Sequence, residues 1–138
     1  MQYWHSSFIT NKVDVGLLVI GAPGAGKTEF CYHLIKYLNY YLVADDLVKV
    51  VKTHDSYKGF LCNNQFLGII HHKKRSYIQV DKALKQGVIS HVLYLYCQSI
   101  ELRYRKKAQA LPLPLIEIDV LGNSWHECVK QLQNILRK

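Results

Sequence analysis

The segment Gly21–Thr28, GAPGAGKT, constrains the fold more than any other stretch of the chain. It satisfies G-x-x-x-x-G-K-[ST] at every required position. An apolar run of strand length, VDVGLLVI (13–20), precedes it, and Phe30, Cys31, Leu34, Ile35 and Leu38 follow at helical spacing. Strand, glycine turn and helix in that order are the context in which such a loop holds phosphate. The glycines let the backbone curl so that successive N–H groups point inward, and the helix N-terminus adds partial positive charge. The pattern predicts a strand over 13–20 and a helix of about three turns from near Lys27. Gly21, Ala22, Pro23, Gly24, Ala25, Gly26, Lys27 and Thr28 are the candidate nucleotide-binding residues. Lys27 is placed to reach the β- and γ-phosphates and the Thr28 hydroxyl to ligate Mg²⁺, so ATP and Mg²⁺ are the implied cofactors.

Strand-like segments recur downstream: YYLVAD (40–45), QFLGII (65–70), SYIQV (76–80), VISHVLYLY (88–96) and LPLPLIEIDV (111–120), the last with its prolines at the start. DKALKQG (81–87) reads as a short helix ended by Gly87. In the final segment, Ser124 followed by Glu127 forms a capping box. It opens a helix with an apolar face of Trp125, Cys128, Val129, Leu132, Ile135 and Leu136, and its basic last turn suits the helix dipole. Strands alternate with helices at both ends of the chain, so layered α/β architecture is expected.

The chain has 138 residues and no repeat or linker, which fits one domain spanning 1–138. No apolar run approaches the ~18–20 residues of a membrane span, and MQYWHSSF lacks the order of a secretory leader. Cys31, Cys62, Cys97 and Cys128 lie far apart among apolar neighbours, as expected of buried thiols in a reducing cytoplasm. The formal charge of +8 concentrates in HHKKR (71–75) and RYRKK (103–107). Such a surface attracts anions, but no RNA-binding signature accompanies it, so a nucleic-acid partner is not expected. His71 and His72 read as an ordinary pair on opposite faces of a strand.

Asp45 and Asp46 follow an apolar strand whose carboxyl end should lie beside the loop, where ligand sites of open α/β sheets sit. Two adjacent carboxylates there can divide two tasks, one holding Mg²⁺ and the other taking a proton from an attacking hydroxyl. GAPGAGKTEF followed by YYLVADDLV resembles the catalytic domain of HPr kinase/phosphorylase, a family with a loop ending GKSE and then HRLVADDxV. Leu42–Asp46 match the second motif residue for residue, and Lys27-Thr28-Glu29 match the first with Thr for Ser. His5 fits a family histidine preceding the loop, and FLGII fits the end of a signature reading roughly E-x-R-G-L-G-I-I. The resemblance covers most of residues 5–100 and is nearer the short, single-domain proteobacterial forms.

It implies an α/β P-loop kinase-like sheet with flanking helices, of the HPr kinase/PEP carboxykinase-like kind. It also implies ATP-dependent phosphorylation of a serine on an HPr-like phosphocarrier protein of a phosphotransferase system, by a homo-oligomer. The catalytic residues it implies are Asp46 as first choice of general base, Asp45 as second, Lys27, and His5 orienting the carboxylate. The metal ligands it implies are Thr28, Asp46 and Asn63. The chain departs from the family at the signature Glu, which becomes Asn63, and at the signature Arg, which becomes Gln65. Asn63 offers a carbonyl oxygen without charge. No PVRPGR-like segment supplies a catalytic arginine; Arg103 and Arg105 are the substitutes on hand. Phosphorolysis is therefore not expected. Two other readings remain open: a catalytically weakened ATP-binding regulatory module, and a P-loop kinase for a small metabolite.

Overall fold

The computed structural model describes residues 1–22, 24–71 and 77–137. Pro23, His72 and most of the HHKKR cluster lie outside them. The elements are β1 (Gln2–Trp4), β2 (Ser7–Thr10), β3 (Gly16–Gly21), α1 (Lys27–Leu38), β4 (Tyr41–Ala44), β5 (Val48–Lys52) and β6 (Tyr57–Leu61). A 3₁₀ turn (Asn64–Phe66) leads to β7 (Ile69–Ile70) and β8 (Ile78–Gln79). Then come β9 (Gln86–Ile89), β10 (His91–Tyr96), α2 (Leu102–Ala108), β11 (Leu115–Asp119) and α3 (Trp125–Leu136).

A five-stranded mixed sheet, in the order β11-β10-β3-β2-β4, forms the middle layer. β11, β10 and β3 run parallel, and β2 is antiparallel to both its neighbours. β3 is buried along its whole length, so it reads as a continuous apolar run rather than an alternating one. Its side chains still alternate. Leu17 and Val19 enter a core with Phe30, Leu34, Cys128 and Leu132 under α1 and α3. Leu18 and Ile20 enter a second core with Phe8, Val43, Val48 and Tyr94. A second sheet, wholly antiparallel in the order β1-β5-β6-β9, covers that opposite face.

Phe8 seats the two sheets on each other. It is fully buried, its ring occupies the space that a side chain at Gly59 would fill, and it packs beside Gly16 and Gly87. A Cβ on Gly59 would stand 2.5 Å from its ring. Phe8 pairs with Ala44, the residue before the aspartate pair, so this packing also fixes the strand ends at the phosphate loop.

The helix at 27–38 and the capping box form as the spacing predicts. The Ser124 Oγ accepts from the Glu127 N–H at 3.1 Å, and the Glu127 carboxylate accepts from the Ser124 N–H at 3.4 Å. The last turn of α3 carries no basic residue, because Arg137 is the C-cap. Other expectations also differ from the structure. Residues 81–87 are not helical: the Leu42 N–H donates to the Lys82 carbonyl and the Leu84 N–H to the Leu42 carbonyl, and this pairing with β4 outweighs local helix propensity. VISHVLYLY is two strands in two sheets, divided at Ser90. QFLGII is extended only at Ile69–Ile70, since Gly68 adopts φ +73° after the 3₁₀ turn. Cys31 and Cys128 are buried as expected, whereas Cys62 and Cys97 are exposed. Among the described residues no helix is long and apolar enough to cross a membrane.

Phe8→Ala removes a fully buried ring packed against Gly59 and should cost about 3–5 kcal/mol in a urea unfolding titration. A loss under about 1 kcal/mol would show that the sheets do not rely on it.

Candidate functional site

The loop between β3 and α1 owes its shape to Gly24 and Gly26, at φ +85° and +91°. Any other residue there would be strained. At Gly26 space is limiting as well, since a Cβ would lie 2.5 Å from the indole of Trp125. Trp125, the first residue of α3, supports the loop from beneath and meets Phe30 edge-on at 6.0 Å. Gly26 is the N-cap of α1 and provides no side-chain cap. The first N–H groups of the helix are therefore left for an anion.

The Lys27 ammonium donates to the Gly21 carbonyl at 2.8 Å. Burial lowers the Lys27 pKa below its ordinary 10.5, and the carboxylates of Asp46 and Asp45 oppose that shift in part. An amine whose charge is poorly solvated gains most from a phosphate partner.

Asp45 is held on every side. Its Oδ1 accepts from the Ser7 hydroxyl at 2.7 Å and from the Thr28 hydroxyl at 3.3 Å. Its Oδ2 accepts from the His71 backbone N–H at 3.0 Å and lies 3.5 Å from the His71 ring. The Asp45 side chain is only 3% exposed. Asp46 is exposed, with φ +75°, a left-handed conformation that aspartate tolerates better than most residues. It lines two cavities. The smaller, about 150 Å³, is bounded by Gly24, Gly26, Lys27, Thr28 and His71. The larger, about 520 Å³, is bounded by His5, Lys27, Arg103, Tyr104 and Lys107.

The structure thus brings together Lys27, Thr28, Asp45, Asp46 and His5 from three separate segments. Thr28 meets Asp45, not Asp46. Asn63 is not part of this cluster: it lines neither cavity, and its side-chain oxygen accepts from the Gln65 N–H at 2.9 Å, capping the 3₁₀ turn. Of the two candidate arginines, Arg103 lines the larger cavity, while Arg105 is paired with Glu117 at 3.0 Å. Ser7 is not singled out by the sequence, and His71 is there read as one of an ordinary pair. The one sequence signal for Ser7 was a polar pair between His5 and an apolar Phe; for His71 it was the position directly after LGII. Among the described residues no group of three or more His, Cys, Asp or Glu is arranged to hold a metal. Thr28 with Asp45 instead offers a hydroxyl and a carboxylate side by side. That donor set suits Mg²⁺ completed by phosphate oxygens and water.

No protein-family model matches the chain, and no curated protein matches it in sequence. Among solved structures it is similar to the Hpr(Ser) kinase/phosphatase from Coxiella burnetii. The TM-score is 0.76 at 19% identity, covering 99% of this chain and 91% of that one. The chain has the fold of an HPr kinase catalytic domain. Within that HPr kinase-like fold the expected mixed α/β sheet and flanking helices are present, and the phosphate loop leaves the middle strand of the sheet.

The burial of Lys27 generates a prediction for the free protein. A lysine with a lowered folded pKa destabilises the fold while it must stay charged; that penalty disappears as pH rises from the lowered value to 10.5. Lys27→Met should therefore melt at or above the wild-type temperature at pH 7, and the gap should narrow as pH approaches 10.5. A variant that melts lower at pH 7 would mean the bond to Gly21 outweighs the burial.

Proposed function

We propose that this chain is an ATP-dependent serine protein kinase of the HPr kinase type, acting on an HPr-like phosphocarrier protein. One observation carries the reading: the Thr28 hydroxyl of the phosphate loop meets Asp45 at 3.3 Å, while the neighbouring Asp46 stays exposed between two cavities. The fold shared with the Coxiella enzyme supports it.

In this reading the backbone of Gly21–Thr28 cradles the phosphates, and Lys27 balances charge on the group being transferred. Thr28 and Asp45 are the residues that would hold Mg²⁺, which neutralises phosphate charge when bound. Asp45 cannot also serve as the base, because both its oxygens are engaged and its side chain is buried. Asp46 takes that role and removes the proton from the serine hydroxyl as its oxygen bonds to the γ-phosphorus and ADP leaves. His5, on the same cavity, orients the Asp46 carboxylate or the incoming hydroxyl. The chain acts as a homo-oligomer in the cytoplasm.

A second reading, a weakened nucleotide-binding module, is favoured by Asn63 and Gln65 in place of the signature Glu and Arg. The Asn63 oxygen is committed to the 3₁₀ turn where a family carboxylate would serve the metal.

Two variants separate these readings, using labelled ATP, Mg²⁺ and the host's own HPr-like protein. Asp46→Asn should reduce phosphate transfer by about 10²–10⁴-fold with little change in nucleotide affinity. Equal transfer by variant and wild type would remove Asp46 as base, and no transfer by folded wild-type protein would remove the kinase reading. Asn63→Glu should raise transfer if the site is a working but weakened kinase, and should leave a binding-only module silent.

A further inference from the structure

The larger cavity carries more positive charge than the nucleotide reading requires. Around it stand Lys27, Arg103 and Lys107, against the single carboxylate of Asp46. Arg103 and Lys107 are one turn apart on α2, so they share a face of that helix. The Arg103 guanidinium rests 4.7 Å over the Tyr104 ring and the Lys107 ammonium 5.6 Å over Trp4. Those ring contacts orient the cations without neutralising them. Among the described residues neither forms an ion pair with a carboxylate, whereas Arg105 on the same helix is paired with Glu117. Lys107 also acts electrostatically on Lys27, opposing its charged form.

The two cavities meet at Lys27 and Asp46 and differ elsewhere. The smaller one is walled by the phosphate loop itself, through Gly24, Gly26 and Thr28. The larger has only Gly21 and Lys27 from the loop, and α2 forms its far wall. A triphosphate tail therefore belongs in the smaller cavity, which leaves the larger as the approach to Asp46 for the acceptor.

We infer that Arg103 and Lys107 select an acceptor bearing carboxylates beside the hydroxyl that reaches Asp46. The inference rests on the kinase reading above and adds the chemistry of its substrate. The two cations are specificity residues: they touch the flanking acidic side chains of the acceptor and take no proton. The acidic groups neutralise the cationic wall, so binding is charge-assisted and weakens with salt.

The test uses the full chain with Mg²⁺ and a non-hydrolysable ATP analogue. Three dye-labelled peptides have a central serine flanked by glutamates, by glutamines or by lysines, and binding is read by fluorescence anisotropy. The glutamate peptide should bind at least about tenfold tighter than the glutamine peptide, the scale of one or two charge-assisted hydrogen bonds. The double variant Arg103→Gln, Lys107→Gln should lose that preference, and Arg103→Lys, Lys107→Arg should retain most of it. Lys106→Gln removes charge from the same helix away from the cavity and should leave the preference intact. Equal binding of the three peptides, no binding of the glutamate peptide, or the same loss in Lys106→Gln would overturn the inference. So would a glutamine double variant that keeps the preference but loses nucleotide affinity, which would assign the cations to the triphosphate. Calorimetry with the nucleotide on the same wild-type sample tests the kinase reading separately. A chain that ignores nucleotide defeats that reading, while the peptide preference is still measured without nucleotide.

Discussion

The buried carboxylate of Asp45 is the point on which the site depends. A carboxylate this far from water is costly unless every lone pair it presents is met. Ser7, Thr28 and the His71 backbone meet them, and they come from β2, α1 and the segment after β7. Each is far from Asp45 in sequence, so the hydrogen bonds can all form only when the middle sheet, the loop helix and the β7–β8 ribbon are in register together. The cost of burying this charge thus becomes a constraint on the whole arrangement. It fixes β4 relative to the phosphate loop although β2 lies between β4 and β3.

The same constraint separates two residues that the sequence presents as equivalents. Successive side chains on a strand diverge, and β4 ends at Ala44. Asp45 continues inward to the threonine of the loop. Asp46 turns through a left-handed conformation and remains at the surface of both cavities. One carboxylate is immobile and fully bonded, the other accessible. In the proposed reading the first would position the metal and the second would receive the proton.

The parts of the fold legible in the sequence are those whose determinants are local. The phosphate loop, α1 and the capping box of α3 each lie within a dozen or so residues, and their signals are glycines, a cap and a helical stripe. The antiparallel second sheet was not read, because its strands are short and carry polar residues throughout, as in Tyr57–Leu61, YKGFL. Their stability comes from Phe8 and from one another rather than from pattern. In the sequence α2 shows only as a basic cluster, and residues 81–87 show helical spacing although their partner is β4, forty residues upstream. In the site, Lys27, Thr28 and the aspartate pair were visible as motif. The parts played by Ser7 and His71 were not, since their contacts with Asp45 exist only after folding.

Ser90 interrupts what would otherwise be one long strand. β9 belongs to the outer sheet and β10 to the middle one, with this single residue between them. Its N–H donates to the Gly16 carbonyl at 2.9 Å and its hydroxyl accepts from the Gly16 N–H at 2.8 Å, at the first residue of the strand that ends in the phosphate loop. The two layers are therefore riveted, with no slack for sliding. A force applied to the outer sheet is conveyed straight to the root of β3, whereas the α2 flank is tied to the middle sheet through side chains, the Tyr94 hydroxyl on the Glu101 backbone and Arg105 on Glu117.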